Sequence, residues 1–225
     1  MICRCLFVKT FCLVGLMLCH FKSLAQESNR ADADYFYKKT FFYDQRGVNV
    51  IELAVGTSNI NGDLPSPIFE IASRIGYKHF MFPHLNIGFT YNKFNIAFED
   101  VYNEGFMSFD LNLEYVASPY QSFSPFLFAG GGYNASNYFV QTATKFQGGG
   151  GVEIIVATGF GLKIMADYNY VMSDELDGVV FGASDDAYWR VLFGANFYFG
   201  GQNKKERILK GVPTIINSNP IIKEN

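Results

Sequence analysis

Residues 145–156 read KFQGGGGVEIIV. Four consecutive glycines, Gly148 to Gly151, stand against an apolar run, and their reading separates a nucleotide-binding fold from a β-structure. A phosphate-cradling loop follows a strand and opens a helix, with Lys and Ser/Thr close behind or an acidic residue about 20 positions on. Here Val152, Glu153, Ile154, Ile155 and Val156 follow, a largely β-branched run that is poor at starting a helix and suits a strand. GK[ST] is absent. As a strand, the segment puts Gln147, Gly149, Gly151 and Glu153 on one face and Gly148, Gly150, Val152 and Ile154 on the other.

The same two-residue period runs through the rest of the chain. In MSFDLNLEY, residues 107–115, one face carries Met107, Phe109, Leu111, Leu113 and Tyr115, and the other carries Ser108, Asp110, Asn112 and Glu114. FEIASRIGYK at 69–78, LNIGFTYN at 85–92 and WRVLFGANFYF at 189–199 separate in the same manner. Noisier segments near 47–56, 124–134, 145–157 and 160–171 bring the total to eight candidate strands. The intervals alternate in length: 79–84, 117–123 and 157–160 are short, whereas 57–67, 97–105, 134–144 and 172–187 are long.

Short turns on one side, long loops on the other, and strands with one apolar and one polar face point to an all-β fold. The specific expectation is an eight-stranded antiparallel up-and-down transmembrane β-barrel over residues 47–200, its short turns periplasmic. A soluble antiparallel barrel or sandwich has the same period but turns its large apolar residues inward. Tyr and Phe near the strand ends and opposite faces that mix charge with glycine favour the membrane form; after residue 25 no apolar run is as long as a membrane helix, so any crossing is by strands.

An eight-stranded barrel has an interior only just wide enough for its own side chains. The glycines of 148–151, and those of FAGGGYN at 128–134, therefore read as lumen space and bend points. Candidate lumen charges are Glu52, Glu70, Asp110, Glu114, Glu153 and Asp167 with Arg74, Lys78, Lys163 and Arg190. Opposite charges confined together must pair, which predicts a plugged barrel.

The first 25 residues place Arg4 and Lys9 around an apolar stretch, then Ser23 and Ala25, the layout of a signal peptide cleaved after Ala25. All four cysteines lie inside it, so the mature chain would hold no disulfide and no cysteine metal site. Cleavage removes three basic residues and no acid, leaving 15 basic against 21 acidic residues and no general attraction for nucleic acid. Residues 26–46 form a periplasmic N-terminal segment with two readings, docking under the barrel or contact with a partner, and 201–225 a periplasmic C-terminal tail whose basic cluster, Lys204, Lys205, Arg207 and Lys210, reads as the end of a disordered linker or as a patch touching anionic headgroups or a periplasmic partner.

SPFLFAGGGYN, GGGGVEIIVATGFGLKIMADYNYVM and the final strand YWRVLFGANFYF together resemble the small outer-membrane barrels typified by the OmpA transmembrane domain and OmpX, over about residues 47–200. The resemblance implies outer-membrane localisation, a monomer in outer-membrane lipid, and recognition of the last strand by the barrel-assembly machinery through Phe197 and Phe199. The tail is similar to that of certain barrels linked to curli-type secretion, which implies a periplasmic protein partner. Some such barrels are outer-leaflet lipid-modifying enzymes using His with Ser and an acid. His79 and His84 both fall at the short 79–84 turn, the wrong end for that chemistry. Loop 172–187, with Asp174, Glu175, Asp177, Asp185 and Asp186, lacks the EF-hand spacing and reads as a solvated acidic loop. No catalytic, cofactor or metal residue is assigned, and the expected role is structural or surface-interacting.

Export removes residues 1–25 in this reading, so the intact mass of protein taken from the membrane fraction should begin at Gln26. A mass that includes Met1 would replace the signal peptide with an uncleaved segment.

Overall fold

The computed structural model describes residues 36–61, 67–99, 102–139, 141–172 and 186–210. The expected signal peptide, nearly all of loop 172–187 and residues 211–225 lie outside the described residues. Eight long strands run β1 (Asn49–Asn61), β2 (Glu70–Phe82), β3 (Leu85–Phe98), β4 (Tyr102–Val116), β5 (Phe123–Ser136), β6 (Thr142–Ala157), β7 (Phe160–Val171) and β8 (Ala187–Phe199). A two-residue pairing at Pro67–Ile68 extends the outer end of β3. Helical residues 36–45 (α1) precede the strands, and α2 (Gln202–Lys210) follows them.

Every strand pairs antiparallel with its sequence neighbours, and β1 pairs with β8 from Asn49↔Phe199 to Asn61↔Ala187, closing the sheet. Closure leaves no unpaired edge, so every strand backbone has partners without help from water. Two-residue connections at Pro83–His84 and Thr158–Gly159, and the 117–122 turn, share one end with α1 and α2. Gly159 supplies the left-handed conformation, φ 75°, that its turn requires.

The pleat separates two environments. Outward residues include Leu53, Val55, Ile75, Phe89, Leu111, Leu113, Leu127, Ile154, Ile164 and Phe193, all at least 44% exposed. Tyr77, Phe82, Tyr115, Phe123, Phe197 and Phe199 ring the turn end of this wall, and Phe69, Phe109, Tyr133, Phe146, Tyr168 and Tyr170 ring the loop end. The inward set is the inverse: Glu52, Arg74, Lys78, Asp110, Glu114, Lys145, Glu153, Lys163, Asp167 and Arg190 are all less than 9% exposed. Among the described residues, no helix is long and apolar enough to cross a membrane, so any crossing falls to the strands.

All eight expected strands are present, but they are longer than their alternation suggests. The expected long connection 97–105 is mostly sheet, since β3 continues to Phe98 and β4 starts at Tyr102; β5 and β6 likewise leave only residues 137–141 of the expected 134–144. The cause is a reversal of polarity toward the loop end. There Phe94, Ile96, Phe98 and Phe106 point inward and are 0–2% exposed, while Lys93 and Asn95 lie on the outer face. A greasy-out, wet-in pattern stops although the backbone does not. At 12 to 16 residues, the strands exceed the roughly 9–11 that a bilayer core needs.

The glycines have the packing role expected of them. A Cβ on Gly132 would collide with the Asp110 carboxylate, and one on Gly130 with the Asn112 side chain. Gly149 faces its register partner Phe128, whose ring tip would lie 2.8 Å from an added Cβ. Outward Gly131 differs, since its nearest neighbour to an added Cβ is 3.5 Å away. Gly132→Val should therefore destabilise the barrel by about 1–3 kcal/mol or more through overpacking, whereas Gly131→Val costs well under half of that. Urea midpoints of the two variants in the same lipid would check the difference.

Candidate functional site: a sealed lumen and its turn-side mouth

The chain enters the barrel from α1. The helix ends where the Arg46 and Gly47 amides both reach back to the Phe42 carbonyl, at 2.8 and 3.4 Å, with Gly47 at φ 84° as the left-handed stop. This ending turns Phe42 and Arg46 into the mouth. Phe42, 1% exposed, meets Phe80 edge-on at 5.2 Å, and Phe80 lies 6.3 Å from Tyr198. Val50 and Val116 complete an apolar floor.

Arg46 crosses to the far wall of the same mouth. Its guanidinium donates to the carbonyls of Pro119 (2.6 Å) and Gln121 (3.0 Å), to the Ser124 hydroxyl (2.8 Å) and to Glu153 Oε2 (3.3 Å). Glu153 in turn accepts from the Asn196 amide and the Tyr198 hydroxyl, both at 2.5 Å. A planar fork of donors suits this set of fixed acceptors in a way a lysine would not.

Above the floor lie two linked charged layers. In the lower one, Lys78 bridges Glu114 (2.5 Å) and Glu52 (2.6 Å), Lys163 meets Glu52 (2.9 Å), and the Asn86 amide donates to Glu114 (2.8 Å). Phe126 lies within 4.8 Å of the Lys163 ammonium and 5.8 Å of that of Lys78. In the upper layer Asp167 accepts from both Arg74 (2.5 Å) and Arg190 (2.9 Å). Lys145 meets Asp110 at 3.0 Å and donates to Asn169 (2.6 Å) and the Tyr188 hydroxyl (2.9 Å). Arg74, 3.8 Å from Glu52, joins the layers.

An apolar roof closes the loop end. Tyr188 stacks on Phe94 at 4.8 Å, Phe106 stacks on the same ring at 6.1 Å, and Ile60, Ile96, Phe98 and Val171 pack around them. A cavity of about 10 Å3 beside Glu52, Lys78 and Lys163 is space for roughly one water, not a passage. A second recess, of about 320 Å3, opens at the turn end between α1 and the 117–122 turn, lined by Tyr37, Lys38, His84 and Tyr120.

Nine of the ten lumen charges read from the sequence lie in this network. Glu70 does not: it is half-buried near the loop-side end of β2, apart from the charged layers. Two members escaped the sequence reading. Lys145 lies at the edge of its glycine-rich strand but shares the parity of Gln147 and Glu153, which is the signal that finds it. Arg46 precedes the first strand and has no periodic signal at all. Arg46, which the sequence places at the end of the N-terminal segment, contributes its side chain to the lumen. The described part of the tail is also ordered as α2, against the expectation of a linker end; Gly200 and Gly201, at φ 77° and 96°, turn the chain, and the Lys205 ammonium pairs with Asp44 of α1.

His79 and His84 sit at the turn end. His79 Nδ1 is 2.8 Å from Asn49 Oδ1, and His84 Nδ1 donates to the Val116 carbonyl at 2.8 Å, its ring stacked on Tyr115 at 5.8 Å. Both rings hold strand ends together.

No protein-family model matches the chain, and no curated protein matches it. Solved structures do. The crystal structure of Neisserial surface protein A aligns with a TM-score of 0.55 at 16% identity, covering 67% of this chain and 97% of that one. OprG of Pseudomonas aeruginosa (TM-score 0.46, 8% identity, 70% and 98% covered) and Ail of Yersinia pestis (0.43, 14%, 68% and 100%) align more loosely. The likeness to the Neisserial protein is one of fold: a closed, eight-stranded, antiparallel up-and-down barrel. The matches lend no support to the tail's similarity to curli-linked barrels.

Asp167→Asn leaves two buried guanidinium groups short of a carboxylate and should cost about 3 kcal/mol or more. Arg46→Ala, which strands Glu153 and three further acceptors at the mouth, should cost a comparable amount by the same argument. Unfolding free energies in one lipid or detergent check both, and a loss below about 0.5 kcal/mol would mean that the network is solvated.

Proposed function

We propose that this chain is an outer-membrane β-barrel protein that is closed to solutes and acts, without catalysis, as a structural or surface-interaction element. The observation that carries the reading is the inverted polarity: an aromatic-girdled apolar wall faces out, and a charge-paired interior is sealed at both ends. Only a hydrocarbon surround makes that arrangement favourable, since in water the wall would expose a continuous apolar surface. The short turns, with α1 and α2, then face the periplasm, and the four long-loop ends face outward. Those rims are where a surface partner would be met. Outer-membrane lipid and the barrel-assembly machinery, acting on β8 with Phe197 and Phe199, are the partners this reading requires.

A second reading, an accessory component of a secretion or assembly system, draws on one observation: α1 and α2, the helices that flank the barrel in sequence, lie at the same mouth, tied by Lys205 and Asp44. Deleting residues 201–225 would disable that role and leave the first untouched, while exchange of the outer loops would do the reverse.

Membrane-extracted protein should migrate faster on a gel before boiling than after. In planar bilayers it should give no conductance steps, and Arg46→Ala should remain silent too, because the Tyr188, Phe94 and Phe106 roof still closes the other end. Steady ion current through the wild type would overturn the closed-barrel reading.

A further inference from the structure

The turn-side face carries a charge pattern that the barrel does not need. Its two helices present Lys38, Lys39, Lys204, Lys205, Arg207 and Lys210 against only Asp44 and Glu206. Lys205 is taken up by Asp44, which lays α2 against α1. Lys204, Arg207 and Lys210 are exposed, no residue of α2 is buried, and its first turn holds no acid. Among the described residues the loop side is the opposite, with Glu70, Glu99 and Glu104 outnumbering Lys93, and the exposed bases lie at the turn end.

Position gives that end its partner. Only Gly200 and Gly201 separate α2 from β8, whose outward Phe197 and Phe199 belong to the aromatic ring of the apolar wall. The helix is therefore held at the level where hydrocarbon gives way to headgroups, with Leu209 51% exposed beside the bases. Lysine and arginine so placed are attracted by anionic lipid, each worth roughly a fivefold gain in affinity.

We propose that the face formed by α1 and α2 docks the anionic phospholipid headgroups of the leaflet around this mouth, with Lys204, Arg207 and Lys210 making the contact. The proposal deepens the membrane-barrel reading and rests on it. Docking of this kind fixes the depth and tilt of the barrel and surrounds the mouth with a selected lipid shell.

The test reconstitutes the full chain in phosphatidylcholine bilayers, with and without phosphatidylglycerol, and measures the lipids retained when the barrel is extracted with its surrounding shell. Phosphatidylglycerol should be enriched several-fold over its bulk share at low salt. The enrichment should vanish near 1 M salt, where the screening length is about 3 Å. The triple variant K204Q/R207Q/K210Q should retain the two lipids equally, while K93Q on the loop side keeps the preference. Heat-dependent gel mobility confirms that each variant is a folded barrel. Equal retention by the wild type, or a preference that survives the triple variant, overturns the proposal. So does capture of an acidic protein by the patch without any lipid preference. Failure to insert even into pure phosphatidylcholine would instead count against the membrane-barrel reading itself.

Discussion

The structure depends on one confinement: ten or so charged side chains share a tube barely wider than they are. Within it no carboxylate can go unpaired without a large desolvation cost, so each one is held by one or more cations, and all but Glu52 accept from amide or hydroxyl donors as well. Other features follow as conditions of that packing. Glycines on β5 and β6 give up their side chains so that Asp110, Asn112 and Phe128 have room. Aromatic rings fill the spaces beside the cations instead of competing for their charges. Apolar layers at both ends keep water from the network, which is what makes a partner lost there expensive.

The two ends are closed by different means. At the loop end, among the described residues, it is the strands that do it, by turning apolar side chains such as Phe94, Ile96 and Phe106 inward. At the turn end the barrel uses chain from outside the sheet: α1 brings Phe42 to the floor, and Arg46 reaches the opposite wall at Ser124 and Glu153. Because α2 then lies against α1 through Lys205, the first and last described elements are joined on a single surface. That surface, not the lumen, is where the molecule offers exposed chemistry on the turn side.

The fold was legible because a two-residue period with unlike faces has few physical solutions. MSFDLNLEY and LNIGFTYN alone give the wall and the lumen, and the glycine runs give the lumen its space. Legibility failed where polarity and geometry part company. Phe94, Ile96, Phe98 and Phe106 are apolar and inward, so the strand ends resembled loop, and the hinge of the N-terminal plug, Arg46, lies outside any repeat. Pairings such as Asp167 with both Arg74 and Arg190 depend on register across strands distant in sequence, which a single chain does not print.

Strict alternation also shapes what the chain is before it folds. Most apolar residues of the wall are followed by a polar or small one, with exceptions such as Leu127–Phe128, Ile154–Ile155 and Ile164–Met165, so the unfolded polypeptide carries much of its hydrophobic surface in interrupted form. A translocation channel that diverts long apolar helices into a bilayer finds nothing in β1–β8 to hold. The greasy wall exists only once the sheet has sorted its two faces, so the same chain shows no long apolar run while unfolded and a continuous apolar surface once folded.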